Sequence, residues 1–379
     1  MKKLFLPIAL LLCCALDAQL IPCRVGKTWG YCDTGQIVRI RTEYDFADFF
    51  TDGLAFVQKD SSYHGINTKG EIITPALKHY GVFSDGLCPI QLKNGKCYYI
   101  RSDGKVAIDM DFSAAENFSE GLAVVSVGKK LGIINIRGEW VRKPDFDTSS
   151  VYFRSGFLLG LSKGRYFYIR KDGRELILPD TVRPAGLFSE GLAPVYVVKT
   201  GYASGHPEKA SYLEFIDTSG KIALSHFVHD SFDYSEYIML EKEFTDGKAL
   251  IKAKNQIGWD YHFIDKKGRF SPLYSSAKHL GDSFFLGIIG YYMSEFRILD
   301  SNYYVAGQFQ QKPLQIGEFG DGLLPFANKE GMWGYVNSNC RVIIKPQYNA
   351  AFRFKNGYAY VVKNGLQGVI DTKGKEYFR

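Results

Sequence analysis

Acidic residues recur immediately before a glycine, and they are the side chains best placed to do chemistry together. Each stands in a Phe-x-[Asp/Glu]-Gly turn, and the set is Asp52, Asp85, Glu120, Glu190, Asp246 and Asp321. Two such carboxylates in close proximity could bind Ca²⁺ or serve as the acid and base of a glycosidase. Equivalent positions in successive repeats are held apart by the repeat itself, and an acid beside Gly readily accepts turn hydrogen bonds. We therefore predict a structural role for these acids and no catalytic residue.

The histidines give no clear metal site. His226 and His229, followed by Asp230, form the one histidine cluster that could suggest a metal. Two imidazoles three residues apart share a face of a helix, but the surrounding sequence is typical of a strand or loop, where that spacing puts them on opposite faces. The chain also contains no Gly-x-Ser-x-Gly nucleophile elbow and no Gly-rich phosphate loop ending in Gly-Lys-[Ser/Thr]. We predict neither a metal nor a cofactor.

Five cysteines lie outside the N-terminal segment: Cys23, Cys32, Cys88, Cys97 and Cys340. Their spacings match no common zinc motif. Cys23 with Cys32, and Cys88 with Cys97, would each lie on adjacent strands of one hairpin, where a disulfide could form in an oxidising compartment. The strand register is not readable from the sequence, so the disulfide pairing stays open.

The first 18 residues differ in kind from the rest of the chain. Two lysines precede an apolar run that ends near Ala15, and the small residue Ala18 follows, which is the layout of a secretory signal peptide. The run is too short to span a bilayer as a stable helix, and no later stretch could cross one. We predict cleavage after Ala18, so that Gln19 begins an exported chain that is periplasmic, surface-associated or secreted. Cys13 raises the alternative of a lipoprotein, which the bulky Leu12 before it disfavours.

The composition favours β structure and argues against nucleic-acid binding. Among 379 residues there are 25 Tyr and 28 Phe, which fit the half-buried surfaces of strands. The formal net charge of +7 comes from bases that are scattered among acids, without the basic stripe that follows a phosphate backbone. We predict an all-β protein that does not bind nucleic acid.

One sequence pattern recurs along the chain after residue 18. The Gly of the Phe-x-[Asp/Glu]-Gly turn returns at intervals of about 35 residues, and an apolar pair with a second turn Gly follows each time. Within a copy the apolar residues alternate with a period of two, which indicates strands. We predict about ten copies of three strands each, in one domain over residues 19–379, with an inserted loop at about 199–240. The third strand runs into Pro144 or Pro346 in two copies, and we expect the ladder to end there.

The most complete copy lies within residues 319–374, which include GMWGYVNSNCRVIIKPQYNAAFRFKNGYAYVV. The combination of Trp-Gly-Tyr, Pro-x-Tyr-Asn-x-Ala and Phe-x-[Asp/Glu/Asn]-Gly at this spacing resembles the bacterial WG repeat. The resemblance covers essentially all of the mature chain, although Trp-Gly itself stands only at Trp29-Gly30 and Trp333-Gly334. It implies a tandem all-β array and supplies no catalytic residues, because structural positions define the repeat.

Two architectures suit about ten such copies, a propeller-like closed ring and an open curved array, or solenoid. The copies begin and end in phase, which removes the interlocking last unit by which many propellers close. Neither end, however, is polar enough to cap an open array. We predict the closed ring and keep the open array as its alternative.

These observations predict an exported, non-enzymatic scaffold that binds a protein or a glycan in the cell envelope. The binding residues are unknown, but departures from a repeat often carry binding, so we expect residues 199–212 and 229–240 to border the ligand site. Two alternatives stay open. A carbohydrate-active hydrolase would bring two carboxylates into one pocket, and a structural element of a surface assembly would self-associate.

Overall fold

The computed structural model describes residues 19–203, 206–225, 238–254, 259–290 and 294–379. In these ranges the regular structure consists of strands, and no helix forms that could cross a membrane. The strands form nine antiparallel sheets in chain order. One sheet joins two successive units, so the described chain contains ten units of similar build. The predicted all-β class is confirmed.

Strands β1 to β17 form the first five units. Unit 1 has Ile21–Val25, Thr28–Cys32 and Val38–Tyr44 (β1–β3), and unit 2 has Phe46–Ala47, Leu54–Lys59 and Ser62–Asn67 (β4–β6). Unit 3 has Leu77–Tyr80, Cys88–Leu92, Cys97–Ile100 and Val106–Phe112 (β7–β10), and unit 4 has Ala114–Ala115, Leu122–Val127, Lys130–Asn135 and Trp140–Phe146 (β11–β14). Unit 5 has Thr148–Ser149, Phe157–Ser162 and Arg165–Arg170 (β15–β17).

Strands β18 to β35 form the last five units. Unit 6 has Val182–Pro184, Leu192–Ala203, His206–Asp217 and Ile222–Leu224 (β18–β21), and unit 7 has Ile238–Thr245, Lys248–Lys254 and Trp259–Asp265 (β22–β24). Unit 8 has Ser276–Gly281, Phe284–Ile289, Glu295–Leu299 and Val305–Gln308 (β25–β28), and unit 9 has Gln315–Ile316, Leu324–Ala327, Trp333–Val336 and Val342–Tyr348 (β29–β32). Unit 10 has Ala350–Ala351, Tyr358–Lys363 and Leu366–Asp371 (β33–β35).

Unit 4 illustrates how a unit is built. Its four strands pair in chain order, each antiparallel to the one before it. Glu120 and Gly121, in the turn before β12, have φ angles of 55° and 82°, as a two-residue type I′ turn requires. The three predicted strands are therefore present, and a short first strand precedes them. β14 ends at Phe146 and β15 begins at Thr148, so a nearly continuous strand links unit 4 to unit 5.

The Gly of each Trp-Gly pair lies where the third strand of the unit passes very close. A Cβ atom on Gly334 would lie 2.5 Å from the carbonyl oxygen of Ile344. The register shifts between Trp333 and Tyr335, which marks a β-bulge. Pro346 sits in this bulge and the strand continues to Tyr348, so the expectation that Pro ends the ladder is wrong. Proline is tolerated at a bulge because its missing N–H is not needed for the ladder there.

The hydrophobic core lies between successive units. Val336 of β31 packs in a cluster with strands of unit 8, whereas its neighbour Tyr335 packs in a cluster with unit 10. Side chains alternate across a strand, so each central strand contributes one face to the unit before it and the other to the unit after it. This explains why both columns of the repeat are apolar. A unit removed from the array would lose both interfaces.

The two ends of the described chain pair with each other. The N–H of Arg24 donates to the carbonyl oxygen of Tyr377 (3.1 Å), and the N–H of Gly26 donates to that of Arg379 (2.8 Å). The N–H of Arg379 donates in turn to Arg24 (3.1 Å). Val369 of unit 10 belongs to the core cluster of unit 1. Unit 10 therefore packs against unit 1.

The predicted inserted loop at about 199–240 begins as a hairpin. β19 and β20 are 12 residues each and pair in continuous register from Leu192–Asp217 to Ala203–His206. The corresponding strand of unit 4, β12, has 6 residues. A loop is therefore wrong for 199–203 and 206–212, because the antiparallel pairing continues through both segments. Residues 229–237 lie outside the described part of the chain.

The strand register shows whether one of the two suggested disulfides, Cys88–Cys97, can form. Cys97 is opposite Gln91, so Cys88 points to the other face of the sheet. A Cys88–Cys97 disulfide is therefore wrong for this fold. Cys23 and Cys32 lie diagonally on one face of the first hairpin and share a core cluster. A hydrogen bond between the two thiols raises the pKa of Cys23 and lowers the pKa of Cys32.

Candidate functional site

A cavity of about 960 Å³ lies where units 1 to 3 meet unit 10, and we call it the junction cavity. Its volume is in the range of small-molecule and peptide-anchor pockets. Its aromatic lining comes from three units and includes Phe49, Phe50, Phe56, Tyr80, Phe83, Tyr358 and Tyr360. Its polar lining includes Asp48, Thr51, Lys69, Arg353, Lys355 and Asn356. Such a mixture can pack against an apolar ligand and orient it by hydrogen bonds.

Asp48 is the one carboxylate among the described residues that line the junction cavity. Its Oδ1 accepts the N–H of Phe49 (2.8 Å), and its Oδ2 accepts the hydroxyl of Tyr80 (3.4 Å). Burial raises the pKa of Asp48, while these hydrogen bonds and the positive charge of Lys355 oppose the rise. A glycosidase needs two carboxyl groups across the bond that it breaks, and this cavity provides a single one.

Tyrosines from the first and last units fix the main chain that carries Asp48. The buried Tyr31 donates its hydroxyl to the carbonyl oxygen of Asp48 (2.7 Å), and Tyr360 of unit 10 donates to that of Ala47 (3.1 Å). Burial raises the pKa of both hydroxyls, so both remain donors at neutral pH. The contact of Tyr31 recurs at the aligned tyrosine of unit 9, where Tyr335 donates to the carbonyl oxygen of Phe352 (2.8 Å).

The turn acids form a series of hydrogen bonds from unit to unit, which we call the turn belt. In six rungs an acidic side chain of one unit accepts a main-chain N–H in the turn of the next unit, as Asp321 does from Gly357 (2.6 Å). In a seventh rung the acceptor is the hydroxyl of Ser155. The other rungs are Asp85 to Gly121, Glu120 to Gly156, Ser155 to Gly191, Glu190 to Gly247, Asp246 to Ser283 and Asp282 to Gly322. Five of the six predicted turn acids accept turn hydrogen bonds, but from the next unit rather than from their own turn; Asp52 accepts none from the described residues.

Within the described residues the turn belt has no rung across the junction cavity. Among the described residues, no N–H donates to the side chain of Asn356 in unit 10, and no side chain accepts the N–H of Gly53 in unit 2. The pairing of Val25 with Thr28 aligns residues 17–20 of unit 1 with the turn of the other units. Of these four positions the structure describes Gln19 and Leu20, and both line the cavity. The printed rungs run from unit 3 to unit 10, and in the described chain the rung between Asp52 of unit 2 and Gly86 of unit 3 is absent as well.

The described parts of the segments that the sequence predicts to border the ligand site do not line the junction cavity. None of the described residues that line the junction cavity comes from 199–212 or 238–240. His226, His229 and Asp230 fall outside the described ranges, and within those ranges no three His, Cys, Asp or Glu side chains gather as a metal site would require. The cavity was missed because it depends on contact between the two chain ends. One signal pointed to it, since the first copy lacks the Phe-x-[Asp/Glu]-Gly turn and the last has Asn356 in place of the acid.

A comparison with protein families decides the family. The model of the WG containing repeat matches residues 29–63, 66–97, 99–130 and 333–366. This chain is a WG-repeat protein. The matches fall in units 1 to 4, 9 and 10, and the same strand order continues through the unmatched units between them. A search of curated proteins by sequence found no match to this WG-repeat protein.

Solved structures resemble the WG-repeat protein in fold. The crystal structure of a eukaryotic initiation factor has a TM-score of 0.50 at 10% identity, over 94% of this chain and 93% of that chain. This similarity concerns the fold alone, and with the ordered antiparallel sheets it supports a propeller-like all-β fold. The designed protein Ika8 (TM-score 0.40, 10% identity, 85% of this chain and 94% of that chain) and the C-terminal WD40 domain of Sif2 (0.35, 11%, 84% and 92%) are more distant.

Proposed function

We propose that this WG-repeat protein is an exported, non-enzymatic scaffold that binds a protein or a glycan of the cell envelope in the junction cavity. The observation that carries the proposal is the cavity itself, because aromatic walls and a few convergent polar groups are typical of a binding site. Its lining comes from the first three units and from the distant unit 10, so the ligand would be bound only by the assembled array.

The proposed scaffold is a closed, propeller-like ring of ten units. Its support is the pairing of Arg24 and Gly26 with the last residues of the chain, where unit 10 takes the place of a unit preceding unit 1. In a closed ring every unit has two neighbours, and each central strand can then bury both of its apolar faces. An open array would expose the outer faces of units 1 and 10.

Export rests on the first 18 residues, whose lysines and short apolar run are typical of a signal peptide. Cleavage after Ala18 would leave the α-ammonium group of Gln19 beside the junction cavity, because Gln19 lines it. The maturation step would thus place a positive charge at the site. The non-enzymatic role is the expectation from the sequence, because structural positions define the repeat and bring no catalytic residues.

A substitution that fills the cavity tests this proposal. Thr51 lies in the turn of unit 2 and lines the cavity, so we expect Thr51→Trp to block ligand entry. Arg154→Trp is the matched control, because Arg154 holds the equivalent turn position in unit 5. Chain 19–379 and both variants would be crosslinked in isolated cell envelopes, and the partner would be identified and quantified.

We expect one dominant partner with the unsubstituted chain and with Arg154→Trp, and its loss with Thr51→Trp. Equal recovery of that partner with Thr51→Trp would contradict the cavity as the site. Recovery of the chain alone, as a multimer, would instead support a structural element of a surface assembly.

A further inference from the structure

We propose that Cys23 and Cys32 form a disulfide that fastens the first strand at the contact between unit 1 and unit 10. The bond would arise by exchange with a disulfide-bearing oxidant, either a thiol–disulfide oxidoreductase or a small-molecule disulfide. It would link β1 to β2, and it does not depend on which ligand the junction cavity binds.

The two cysteines replace aliphatic residues of the repeat. At the position of Cys32, eight of the other nine units have Ile or Val, namely Ile66, Ile100, Ile134, Ile169, Ile216, Ile264, Val336 and Ile370. At the position of Cys23, six other units have Val or Ile, namely Val57, Ile90, Val125, Val195, Ile251 and Val361. Aliphatic side chains meet the packing need at both positions, so the paired change in unit 1 points to a role for the sulfur atoms.

Both cysteines lie on the face of unit 1 that packs against unit 10. Cys23 is opposite Gly30, and Cys32 lies two residues farther along β2, so both side chains are on the same face of the hairpin. Gly30 has no side chain to separate the two sulfur atoms. Both cysteines belong to the core cluster that contains Val369 of unit 10 and Tyr377. The pair is therefore part of the contact that joins the two ends of the described chain.

The two sulfur atoms are close enough to react with each other. A diagonal pair in a flat sheet is near the upper limit for a disulfide, and strand twist shortens one of the two diagonals. The thiols of Cys23 and Cys32 are in hydrogen-bond contact, which raises the pKa of Cys23 and lowers that of Cys32. Both residues line a cavity of about 270 Å³. Its lining includes the exposed Gly35 and Gln36, so a small disulfide can reach the pair from solvent.

The exchange has two steps. The thiolate of Cys32, which the lowered pKa favours, attacks one sulfur of the oxidant and displaces a thiolate. The thiolate of Cys23 then attacks the Cys32 sulfur of this mixed disulfide and displaces the second thiolate. The cysteine pair loses two protons and two electrons, and the oxidant is reduced to two thiols. An exported chain, as proposed above, would meet such oxidants in an oxidising compartment.

The bond would hold β1, the strand that joins unit 1 to the end of the chain. The amide of Arg24 donates to Tyr377. The alternate amides of Cys23 and Val25 therefore point towards β2. A disulfide would keep β1 and β2 from separating, so exchange of these two amides should slow. Residues 19–20, which line the junction cavity, directly precede β1 and would be held with it.

Peptide mapping after redox equilibration tests the bond. Chain 19–379 would be equilibrated with the small disulfide cystamine and its thiol cysteamine, then alkylated under denaturing conditions and digested with trypsin. Trypsin cleaves after Arg24 and Lys27, which separates the two cysteines onto peptides 19–24 and 28–39. Residue-resolved hydrogen exchange of the oxidised and the reduced chain would measure the effect on β1. The matched control is a variant that restores the aliphatic residue of the other units, Cys32→Val.

We expect a disulfide between the two peptides that dithiothreitol cleaves. Exchange of the amides of Cys23 and Val25 should be slower by about tenfold or more in the oxidised chain, because the bond ties the two strands together. In Cys32→Val the exchange of these amides should not respond to the oxidant. Alkylated Cys23 and Cys32 in the equilibrated chain, or a separate mixed disulfide with cysteamine on each, would overturn the proposal. So would equal exchange of these amides in the oxidised and the reduced chain.

Discussion

Some glycines of the repeat are needed because the main chain of a neighbouring strand lies very close to them. A Cβ atom on Gly334 would meet the carbonyl oxygen of Ile344 at 2.5 Å, so Gly334→Ala must push the third strand of unit 9 away. We expect a loss of about 1–3 kcal/mol in the free energy of unfolding, as for other substitutions that overpack a close contact. Gly365→Ala, which meets nothing within 4 Å, should cost only the penalty of its positive φ, about 1 kcal/mol. Urea unfolding would compare them, and equal costs would contradict the close approach.

Asp48 gives a prediction about pH. Its folded-state pKa is raised by burial, so the folded protein holds the proton more tightly than the unfolded chain does. The group therefore destabilises the folded state as pH rises from the ordinary Asp value, about 4, through the raised value. Asp48→Asn removes this penalty. We expect the stability of Asp48→Asn relative to the unsubstituted chain to increase across that window.

Chemical unfolding at several pH values from about 4 to 7 would measure the effect. Asp109→Asn, at an exposed position of β10, is the control for the chemical change from carboxylate to amide. A difference for Asp48→Asn that falls as pH rises would contradict the buried environment of this carboxylate.

At the residue scale, the sequence predicted which side chains accept turn hydrogen bonds better than it predicted which groups donate to them. It indicated that the turn acids accept hydrogen bonds, which all of them but Asp52 do in the described chain, but each bond comes from the next unit. That partner depends on how closely successive units pack, and repeat spacing alone does not give this distance. No sequence motif around Asp48 identifies it as a site residue, because the tyrosines that contact it, Tyr31, Tyr80 and Tyr360, belong to three other units.

At the scale of elements, the turn belt should add stability one rung at a time. Asp321→Ala removes the acceptor for Gly357, and we expect it to cost about 1 kcal/mol in the free energy of unfolding. Asp321→Asn keeps an acceptor and should cost less. Asp52→Ala is the matched control, since Asp52 holds the same turn position but makes no rung in the described chain, and it should cost almost nothing. Thermal unfolding would rank the three, and an equal cost for Asp52→Ala and Asp321→Ala would contradict the belt.

Strands were predictable because alternation with a period of two is a local signal, and the turns were predictable because Gly is needed at positive φ. Two element-scale expectations failed for identifiable reasons. Pro346 lies inside a strand because a β-bulge removes the need for its N–H, and bulges have no clear sequence signal. Residues 199–203 and 206–212 extend a hairpin because pairing continues where the chain departs from the repeat, so a change in spacing does not imply a loop.

At the scale of the whole molecule, the junction cavity and the proposed ring depend on the same contacts. The sequence predicted a tandem array but only weighed a ring against an open array, because closure requires contacts between residues more than 340 positions apart, such as Arg24 with Gln367. In the proposed ring, unit 10 packs against unit 1 and the junction cavity lies beside this contact. The binding site in this account is a consequence of how the array closes.

Hydrogen exchange at the first strand tests that closure most directly. The amides of Arg24 and Gly26 donate to the carbonyl groups of Tyr377 and Arg379, and neither donates to another strand of unit 1. We predict slow exchange of both amides in chain 19–379 and fast exchange in chain 19–375, while amides in unit 5 exchange equally in both. Residue-resolved mass spectrometry after deuterium labelling would measure this. Fast exchange of Arg24 and Gly26 in both chains would contradict the paired ends, and with them the ring and the junction cavity.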